Sequence, residues 1–266
     1  MKNDRIEALP DQRILSVFFT AGYPRLSDTT TILSALEASG VNMVEIGFPF
    51  SDPVADGPTI QRSNDRAIRS GMNLKLLFEQ LATMRSTITV PVLLMGYLNP
   101  ALQYGFERFV EDTARVGVDA LIIPDLPFSE YQRRYAPAYK AHRVLPVFLV
   151  TARTPPERIL EFDAEEPAFI YVVSSEATTG GSAEITEESE SFFQRLSEMK
   201  LRSKLIVGFG VSDRKSFEVV TRHTHGAIIG SAFLRAIDGA EVGTEPDEST
   251  LIDLQTRVKE FVLQFR

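Results

Sequence analysis

Short apolar segments alternate with helical patterns along the whole of this 266-residue chain. The apolar segments are rich in Val, Ile, Leu and Phe and are bounded by glycine or proline, which is typical of buried strands. They predict strands over residues 14–19, 41–48, 90–97, 119–124, 143–150, 168–174, 204–208 and 226–230. Helical patterns lie between them, over residues 59–70, 74–85, 105–117, 129–142, 155–165, 187–199 and 213–223, and another begins at Leu26.

This succession of about eight β-then-α units indicates a parallel sheet covered by helices. A closed (β/α)8 TIM barrel fits the number of units and the chain length better than an open doubly wound sheet. We therefore predict a single catalytic domain over residues 1–266. A short pattern at residues 1–9 predicts an extra N-terminal helix at the bottom of the barrel. Active sites of such barrels lie at the C-terminal ends of the strands.

The composition is that of a globular protein with a sizeable core, at 44% hydrophobic and 24% charged residues. A formal net charge of −8 argues against nucleic acid as a partner. No apolar run reaches the roughly 18 residues that a membrane span needs, and the N-terminus lacks the apolar core of a signal peptide. The absence of cysteine excludes a disulfide framework and thiolate chemistry. We expect a cytoplasmic enzyme without a membrane or nucleic-acid partner.

One predicted strand carries an ionisable residue, Glu45, in an otherwise apolar segment. Strand side chains alternate, so Glu45 shares a face with Met43 and Gly47. A second carboxylate, Asp56, follows on the loop after the strand, and the two together suit acid–base chemistry. The alternative is that Glu45 pairs with a buried arginine and that Asp56 only starts the helix after Gly57. This segment alone leaves both interpretations open.

Three glycine-rich turns follow the last three predicted strands. They are Thr178-Thr179-Gly180-Gly181, Gly208-Phe209-Gly210 and Gly230-Ser231. Glycine lets backbone N–H groups approach an anion closely, and barrels of this class often bind phosphate after strands seven and eight beside a short helix. Residues 232–235 are the candidate for that helix. The sequence therefore predicts a phosphate site, with a simple turn-forming role for the glycines as the alternative.

Other polar residues are weaker candidates for the site. Tyr97 and Asn99 end strand three and Tyr171 lies in strand six, so each can either reach the barrel mouth or only pack. Asp125 follows strand four, where a turn carboxylate is the favoured interpretation. His223 and His225 precede strand eight at the bottom of the barrel, where a surface pair is favoured over a metal site.

The positions of the lysines limit the chemistry. None falls at the C-terminal end of a predicted strand, where a Schiff-base aldolase needs one. The same absence suggests that a phosphate group is held mostly by backbone N–H groups. With three histidines and no cysteine, no catalytic metal site is expected.

The run Glu45-Ile46-Gly47-Phe48-Pro49-Phe50-Ser51-Asp52-Pro53-Val54-Ala55-Asp56-Gly57-Pro58 closely resembles the signature of the tryptophan synthase alpha chain family. The resemblance continues in order through residues 20–24, 94–100, 124–127, 208–210 and 230–232. It implies a TIM barrel lyase that cleaves indole-3-glycerol phosphate into indole and glyceraldehyde 3-phosphate in tryptophan biosynthesis. It also implies no cofactor in this chain and a β-chain partner that carries pyridoxal phosphate, in an α2β2 heterotetramer.

By motif match, the resemblance makes Glu45 and Asp56 the catalytic pair. Tyr171 matches the family's active-site tyrosine, and the phosphate-binding matches are Thr179, Gly180, Gly210, Gly230 and Ser231. The chemistry also predicts apolar walls for the flat indole ring, from Phe18 or Phe19, Leu94 and Phe209.

One segment departs from the family pattern. Many members read Ser-Arg-x-Gly-Val-Thr-Gly after strand six, whereas this chain has Ser175 in place of the arginine and Ala177 in place of the first glycine. The Thr179-Gly180 end is kept, so the phosphate role is expected to persist while the coupling to the partner is put in question.

Three other functions stay open at this point. The chain can be a stand-alone indole-3-glycerol phosphate lyase that releases free indole, which activity without a β chain distinguishes. It can be an inactive barrel that only activates the β chain, although both Glu45 and Asp56 are retained. It can also be a phosphosugar isomerase, which turns over substrate without forming indole.

Overall fold

The computed structural model describes residues 3–174, 185–239 and 247–266. Eight parallel strands of the described residues close into a barrel in chain order. They are β1 Ile14–Thr20, β2 Met43–Gly47, β3 Val92–Met95, β4 Ala120–Ile122, β5 Leu145–Val150, β6 Ile170–Val173, β7 Leu205–Gly208 and β8 Gly226–Ile229. The predicted (β/α)8 barrel is confirmed.

Helices cover the outside of the barrel. They are α1 Asp4–Glu7, α2 Thr29–Ser39, α3 Pro58–Arg69, α4 Leu74–Leu81, α5 Leu98–Tyr104, α6 Phe106–Arg115, α7 Phe128–Glu130, α8 Ala136–His142, α9 Pro156–Ala164, α10 Glu187–Glu198, α11 Arg214–Val220, α12 Ser231–Ile237 and α13 Glu248–Leu263. A 3₁₀ turn follows α4 at Met84–Ser86, and a π-helical turn at Tyr131–Tyr135 joins α7 to α8. Within the described residues, no helix is both long and apolar enough to cross a membrane.

Except for β1, which extends one residue further to Thr20, the paired strands are shorter than the apolar segments that predicted them. The segment 41–48, for example, contributes only Met43–Gly47 to the ladder, although Val41 and Phe48 are both buried. An apolar segment indicates which residues are buried, and not which of them pair in the sheet. Burial continues into the turns because the helices cover them. The structure also contains α5 and the long α13, outside the predicted helical ranges. Helix α13 packs against α2, and its buried residues Leu254, Val258, Phe261 and Val262 fall on one helical face.

The bottom of the barrel is fixed by Asp119, which directly precedes β4. Its buried carboxylate accepts hydrogen bonds from Asn3 Nδ2 at 3.0 Å and from Arg5 Nε at 2.8 Å. It also accepts from the Arg85 side chain and from the Val92 N–H. Because Asn3 and Arg5 belong to α1 and its cap, the predicted N-terminal helix is confirmed at the bottom of the barrel.

The strand register points Phe18 and Glu45 toward the same region of the barrel. Phe18 in β1 pairs with Glu45 in β2, which pairs with Leu93 in β3. The ring of Phe18 lies against Gly47, where an added Cβ would come within 2.7 Å of it. The glycine at position 47 therefore makes room for an aromatic side chain at the end of β2.

Candidate active site

Glu45 lies in the middle of β2 and is fully buried. Neither of its carboxylate oxygens has a hydrogen-bond partner among the described residues. Burial raises its pKa to about 8, because a charged carboxylate is poorly solvated in an apolar interior. The alternative of a buried arginine partner is thus wrong for the described part of the chain. Glu45 is protonated at neutral pH and can donate a proton.

Asp56 lies on the loop between β2 and α3. Its Oδ2 accepts a hydrogen bond from the hydroxyl of Tyr97 at 3.1 Å, and that hydroxyl accepts from the N–H of Ala55 at 3.0 Å. Burial raises the pKa of Asp56 to about 6, and the Tyr97 hydrogen bond partly opposes the shift. The N-cap of α3 is Gly57, so the alternative in which Asp56 only starts the helix is wrong.

The two carboxyl groups are therefore set to different protonation states near pH 7. Glu45 is mostly neutral and Asp56 is mostly ionised, since their pKa values lie on opposite sides of that pH. Such a separation is the arrangement in which one group can act as an acid and the other as an anion. Tyr171 lies close enough to both carboxyl groups to be affected by their charge. Burial raises the pKa of its hydroxyl, and negative charge on Glu45 and Asp56 raises it further.

A cavity of about 440 Å³ opens at the C-terminal ends of β7, β8 and β1. Its wall contains Asp56 and Tyr171 together with Phe18, Met95 and Phe209. Glu45 is not exposed in the wall, but it neighbours Phe18 through the strand register. The cavity offers apolar faces for a flat ring and a carboxylate at one side.

One of the predicted wall residues needs correction. Of the two alternatives Phe18 and Phe19, Phe18 lines the cavity, as does Phe209, but Met95 stands in the wall where Leu94 was predicted. Neighbouring residues of a strand point to opposite faces, so Leu94 packs outward against the helices. A prediction that is one residue out places the side chain on the wrong face.

The glycine turns after β7 and β8 both contribute to the wall of the cavity. Gly210, Gly230 and Ser231 all line it, and Ser231 is the first residue of α12. The predicted short helix is confirmed as Ser231–Ile237. Thr179 and Gly180, with Ser175 and Ala177, lie outside the described residues.

Two cationic side chains also line this cavity. They are Lys215, from the first turn of α11, and Arg235 of α12. The expectation of a mostly backbone-based phosphate site is therefore incomplete. Arg235 belongs to residues 232–235, the predicted short helix, but its charge was not part of that prediction. Lys215 does not follow a strand directly, so its sequence position did not indicate it.

Of the weaker candidates, some belong to the site and others do not. Tyr97 belongs to the site, as the hydroxyl that holds Asp56. Asp125 accepts a hydrogen bond from the Leu98 N–H at 2.8 Å and is a turn carboxylate, as favoured. His225 accepts from the Leu205 N–H at 2.9 Å at the bottom of the barrel. The described residues contain no cluster of His, Asp and Glu side chains that could hold a metal ion.

Comparison with known proteins identifies close relatives of this arrangement. A family model described as tryptophan synthase alpha chain matches residues 8–262. The tryptophan synthase alpha chain of Parabacteroides distasonis is 47% identical over 238 residues, covering 90% of this chain and 93% of that protein. That of Flavobacterium psychrophilum is 48% identical over 225 residues, covering 85% and 89%.

Solved structures give the same result. The tryptophan synthase subunit alpha of Legionella pneumophila superposes with a TM-score of 0.84 at 26% identity, covering 98% of this chain and 95% of that one. A chain of Mycobacterium tuberculosis tryptophan synthase has a TM-score of 0.81 at 27% identity, with 99% and 96% covered. The chain therefore belongs to the tryptophan synthase alpha chain family, the lyases that cleave indole-3-glycerol phosphate into indole and glyceraldehyde 3-phosphate.

Proposed function

We propose that Glu45 is the acid and base of indole-3-glycerol phosphate cleavage in this chain. The neutral carboxyl delivers its proton to ring carbon C3 of the indole, and the resulting carboxylate removes the proton of the adjacent side-chain hydroxyl. The carbon–carbon bond then breaks, the hydroxyl carbon becomes the aldehyde, and the electron pair returns to the ring. Glu45 ends protonated, ready for another cycle. Its carboxyl group turns into the cavity past Phe18 for these transfers.

Asp56 has a separate role in the same reaction. Its carboxylate accepts a hydrogen bond from the indole N–H and stabilises the positive charge that develops on the protonated ring. The observation that carries this assignment is the pair of buried carboxyl groups beside one cavity, with Glu45 lacking a hydrogen-bond partner among the described residues and Asp56 held by Tyr97, so that their pKa values are raised to about 8 and about 6. The direct test is to assay the purified chain on indole-3-glycerol phosphate and to follow indole release. Turnover without indole would favour a phosphosugar isomerase.

We further propose that the substrate's phosphate group binds between Gly210, Gly230 and Ser231, with Thr179 and Gly180 completing the site. The first N–H groups of a helix have no partner within it and are free to meet an anion. Tyr171 and Phe209 then contact the organic part of the substrate, and Lys215 and Arg235 add positive charge at the rim.

Replacing Gly230 by Val should weaken binding of inorganic phosphate and of substrate by about tenfold or more, the loss of roughly one well-made hydrogen bond to a charged group. Gly230 has a φ of −112°, so the added side chain acts by occupying space and not by backbone strain. Even the Cβ alone would lie 3.2 Å from the Phe18 ring. Inhibition by inorganic phosphate, measured against indole release, gives the affinity.

The graded control is Gly230→Ala, which adds only the Cβ and should weaken phosphate binding less than Val does. A folded Gly230→Val protein that binds phosphate with unchanged affinity would rule out this site.

We propose that a tryptophan synthase β chain is the partner, in an α2β2 assembly in the cytoplasm. Supporting this, the similar Mycobacterium tuberculosis chains come from tryptophan synthase structures. The family carries no cofactor of its own, and pyridoxal phosphate belongs to the β chain. The loop that bears Asp56 also presents an apolar side chain to solvent, Val54, which is 82% exposed. A partner that covers this loop would order the catalytic carboxylate at the same time.

A matching β chain should raise the rate of indole release from this chain at least about tenfold, since coupling energies between sites are typically about 1–3 kcal/mol. A ligand that fills the cavity should tighten β-chain binding by a comparable factor, because linkage is reciprocal. Single-turnover assays and a titration of the two chains measure both effects. Pro53→Gly loosens the loop and should reduce both.

Full activity of the isolated chain, indifferent to an added β chain, would contradict this coupling. That outcome favours the alternative of a stand-alone lyase that releases free indole. A β chain activated by a catalytically silent barrel would point to the alternative of an inactive barrel that only activates the β chain.

A further inference from the structure

Two hydroxyl-to-carbonyl hydrogen bonds link α10, the end of β6 and the turn after β7. Ser189 Oγ in α10 donates to the carbonyl oxygen of Ser174 at 2.8 Å. Ser174 directly follows β6, and its own hydroxyl donates to the carbonyl oxygen of Phe209 at 2.7 Å. The N–H of Ser174 also donates to the carbonyl oxygen of Gly208 at 3.4 Å. Ser174 thus joins the end of β6 to the turn after β7.

The backbone of that turn is held in an uncommon conformation. Phe209 has a φ of +71° and Gly210 has a φ of +74°. Glycine adopts such values readily, but a bulky residue such as phenylalanine does so only where its surroundings hold it there. The hydrogen bond from the Ser174 hydroxyl fixes the carbonyl group of this same residue. Its ring is also in edge contact with Tyr171, with the centroids 6.2 Å apart.

The orientation of the Phe209 carbonyl decides where the next N–H group points. In the described residues the cis peptide bond is the one between Tyr23 and Pro24, so the peptide between Phe209 and Gly210 is trans. The C=O and N–H groups of a planar trans peptide point in opposite directions. Since the carbonyl points to Ser174, the Gly210 N–H points away from it. Gly210 lines the cavity, whereas Ser174 is not in its wall.

We propose that Ser174 is a positioning residue for phosphate binding, whose hydroxyl holds the Phe209–Gly210 peptide so that the Gly210 N–H faces the substrate's phosphate group. This inference rests on the phosphate site proposed above. Without the hydroxyl, Phe209 returns to an ordinary φ region and the peptide turns. A turned peptide presents a carbonyl oxygen to the anion, which repels it. Ser174 therefore acts on the substrate through the backbone and without touching it.

The primary test is Ser174→Ala, with inorganic phosphate as the probe. We expect phosphate to bind about tenfold more weakly, which corresponds to about 1.4 kcal/mol. The KM for indole-3-glycerol phosphate should rise by a similar factor, while kcat changes less because Glu45 and Asp56 are untouched. Ser174→Thr retains a hydroxyl and should restore most of the affinity. Unchanged phosphate affinity in folded Ser174→Ala would overturn the proposal.

Ser189→Ala is the matched control. It removes one hydroxyl from the same series of hydrogen bonds but leaves the bond from Ser174 to Phe209, so phosphate affinity should stay near that of the parent protein. An equal loss in Ser189→Ala and Ser174→Ala would show that the effect is general loosening, and would overturn the positioning role. If Ser174→Ala does not fold, Ser174→Cys gives the same comparison, because a thiol of similar size is only a weak donor.

A second test uses the unusual backbone of Phe209. In a Phe209→Gly protein the positive φ costs little, so removing the Ser174 hydroxyl should weaken phosphate binding clearly less than it does with Phe209 present. Inorganic phosphate is again the probe, since it does not depend on the ring that forms the apolar wall. An undiminished loss in the glycine background would contradict the proposal.

Failure of this inference can be told apart from failure of the phosphate site. If Gly230→Val leaves phosphate binding unchanged, the site itself is wrong and the role of Ser174 falls with it. If Gly230→Val weakens binding and Ser174→Ala does not, the site stands and only the positioning role is wrong.

Discussion

Replacing Glu45 by Gln should lower the rate of indole release by about 10²–10⁴-fold, the usual contribution of a positioned general acid–base group. Glutamine has nearly the same size and shape, but it neither donates an acidic proton nor accepts one. At neutral pH it also mimics the state that Glu45 already holds, because burial raises the pKa of Glu45 to about 8. Substrate affinity and the fold should therefore be preserved while turnover is lost.

Single-turnover indole release and ligand affinity are measured separately for this variant. Turnover near the parent level would exclude Glu45 from proton transfer. A loss of affinity as large as the loss of rate would indicate instead that Glu45 only shapes the cavity.

Stability gives an independent measure of the burial of Glu45. Its pKa rises from 4.5 in the unfolded chain to about 8 in the folded protein, so between these values the folded state binds more protons. The free energy of unfolding contributed by this group is fully present below about pH 4.5 and falls as the pH rises through about 8, by roughly 5 kcal/mol. In Glu45→Gln this part of the pH dependence should disappear, leaving the variant more stable than the parent above pH 8. Urea unfolding at pH 5 and pH 8.5 gives the comparison.

Identical pH dependence of unfolding in the two proteins would mean that Glu45 finds a partner or solvent in the folded state. A group that destabilises the protein while it serves the reaction is typical of an active site.

The barrel was predictable from the sequence because its signal is local and repeated. Each strand is a short apolar segment with glycine or proline at its ends, and each helix follows at a regular interval, so errors at single boundaries do not change the topology. The segment 41–48, for instance, overestimates β2 at both ends without moving Glu45 from the strand. The turn glycines were equally visible, since Gly210 and Gly230 follow strands directly.

The environment of the two buried carboxyl groups was not predictable in the same way. Among the described residues Glu45 has no hydrogen-bond partner, and its neighbours include Phe18 of β1 and Tyr171 of β6. A single sequence does not show which distant residues surround a buried group. The hydroxyl of Tyr97 reaches Asp56 across 41 positions, which makes it indistinguishable in the sequence from a packing tyrosine. Met95 and Leu94 are adjacent apolar residues of one strand, and they differ only in which face of the sheet their side chains point to. Lys215 lines the cavity from the first turn of α11, and nothing in its sequence position indicates this.

Replacing Asp56 by Asn should reduce turnover by about 10²–10³-fold, the usual effect of removing one group that stabilises charge in the transition state. The amide keeps the size of the carboxylate, and its oxygen can still accept the hydrogen bond from the Tyr97 hydroxyl. Only the negative charge is lost, and the proposed function needs that charge when the indole ring becomes positive. Substrate binding should change little, because the ring is neutral until the proton arrives.

The same variant should change the pH profile in a defined direction. The parent rate should fall below about pH 6, where Asp56 takes up a proton, and again above about pH 8, where Glu45 loses one. Asp56→Asn removes the acidic limb and leaves the alkaline limb, so its low rate should stay flat between pH 5 and 7.

The matched control is Asp52→Asn, which makes the same charge change on the same loop at an exposed position outside the cavity wall. It should leave turnover and both limbs of the pH profile near those of the parent. An equal loss in both variants would assign the effect to the loop's overall charge. A loss confined to thermal stability in Asp56→Asn would leave it a structural residue, and the stabilisation of the ring would then need another group. Persistence of the acidic limb in Asp56→Asn would assign that titration to a different residue, and the division of roles between the two carboxyl groups would fail.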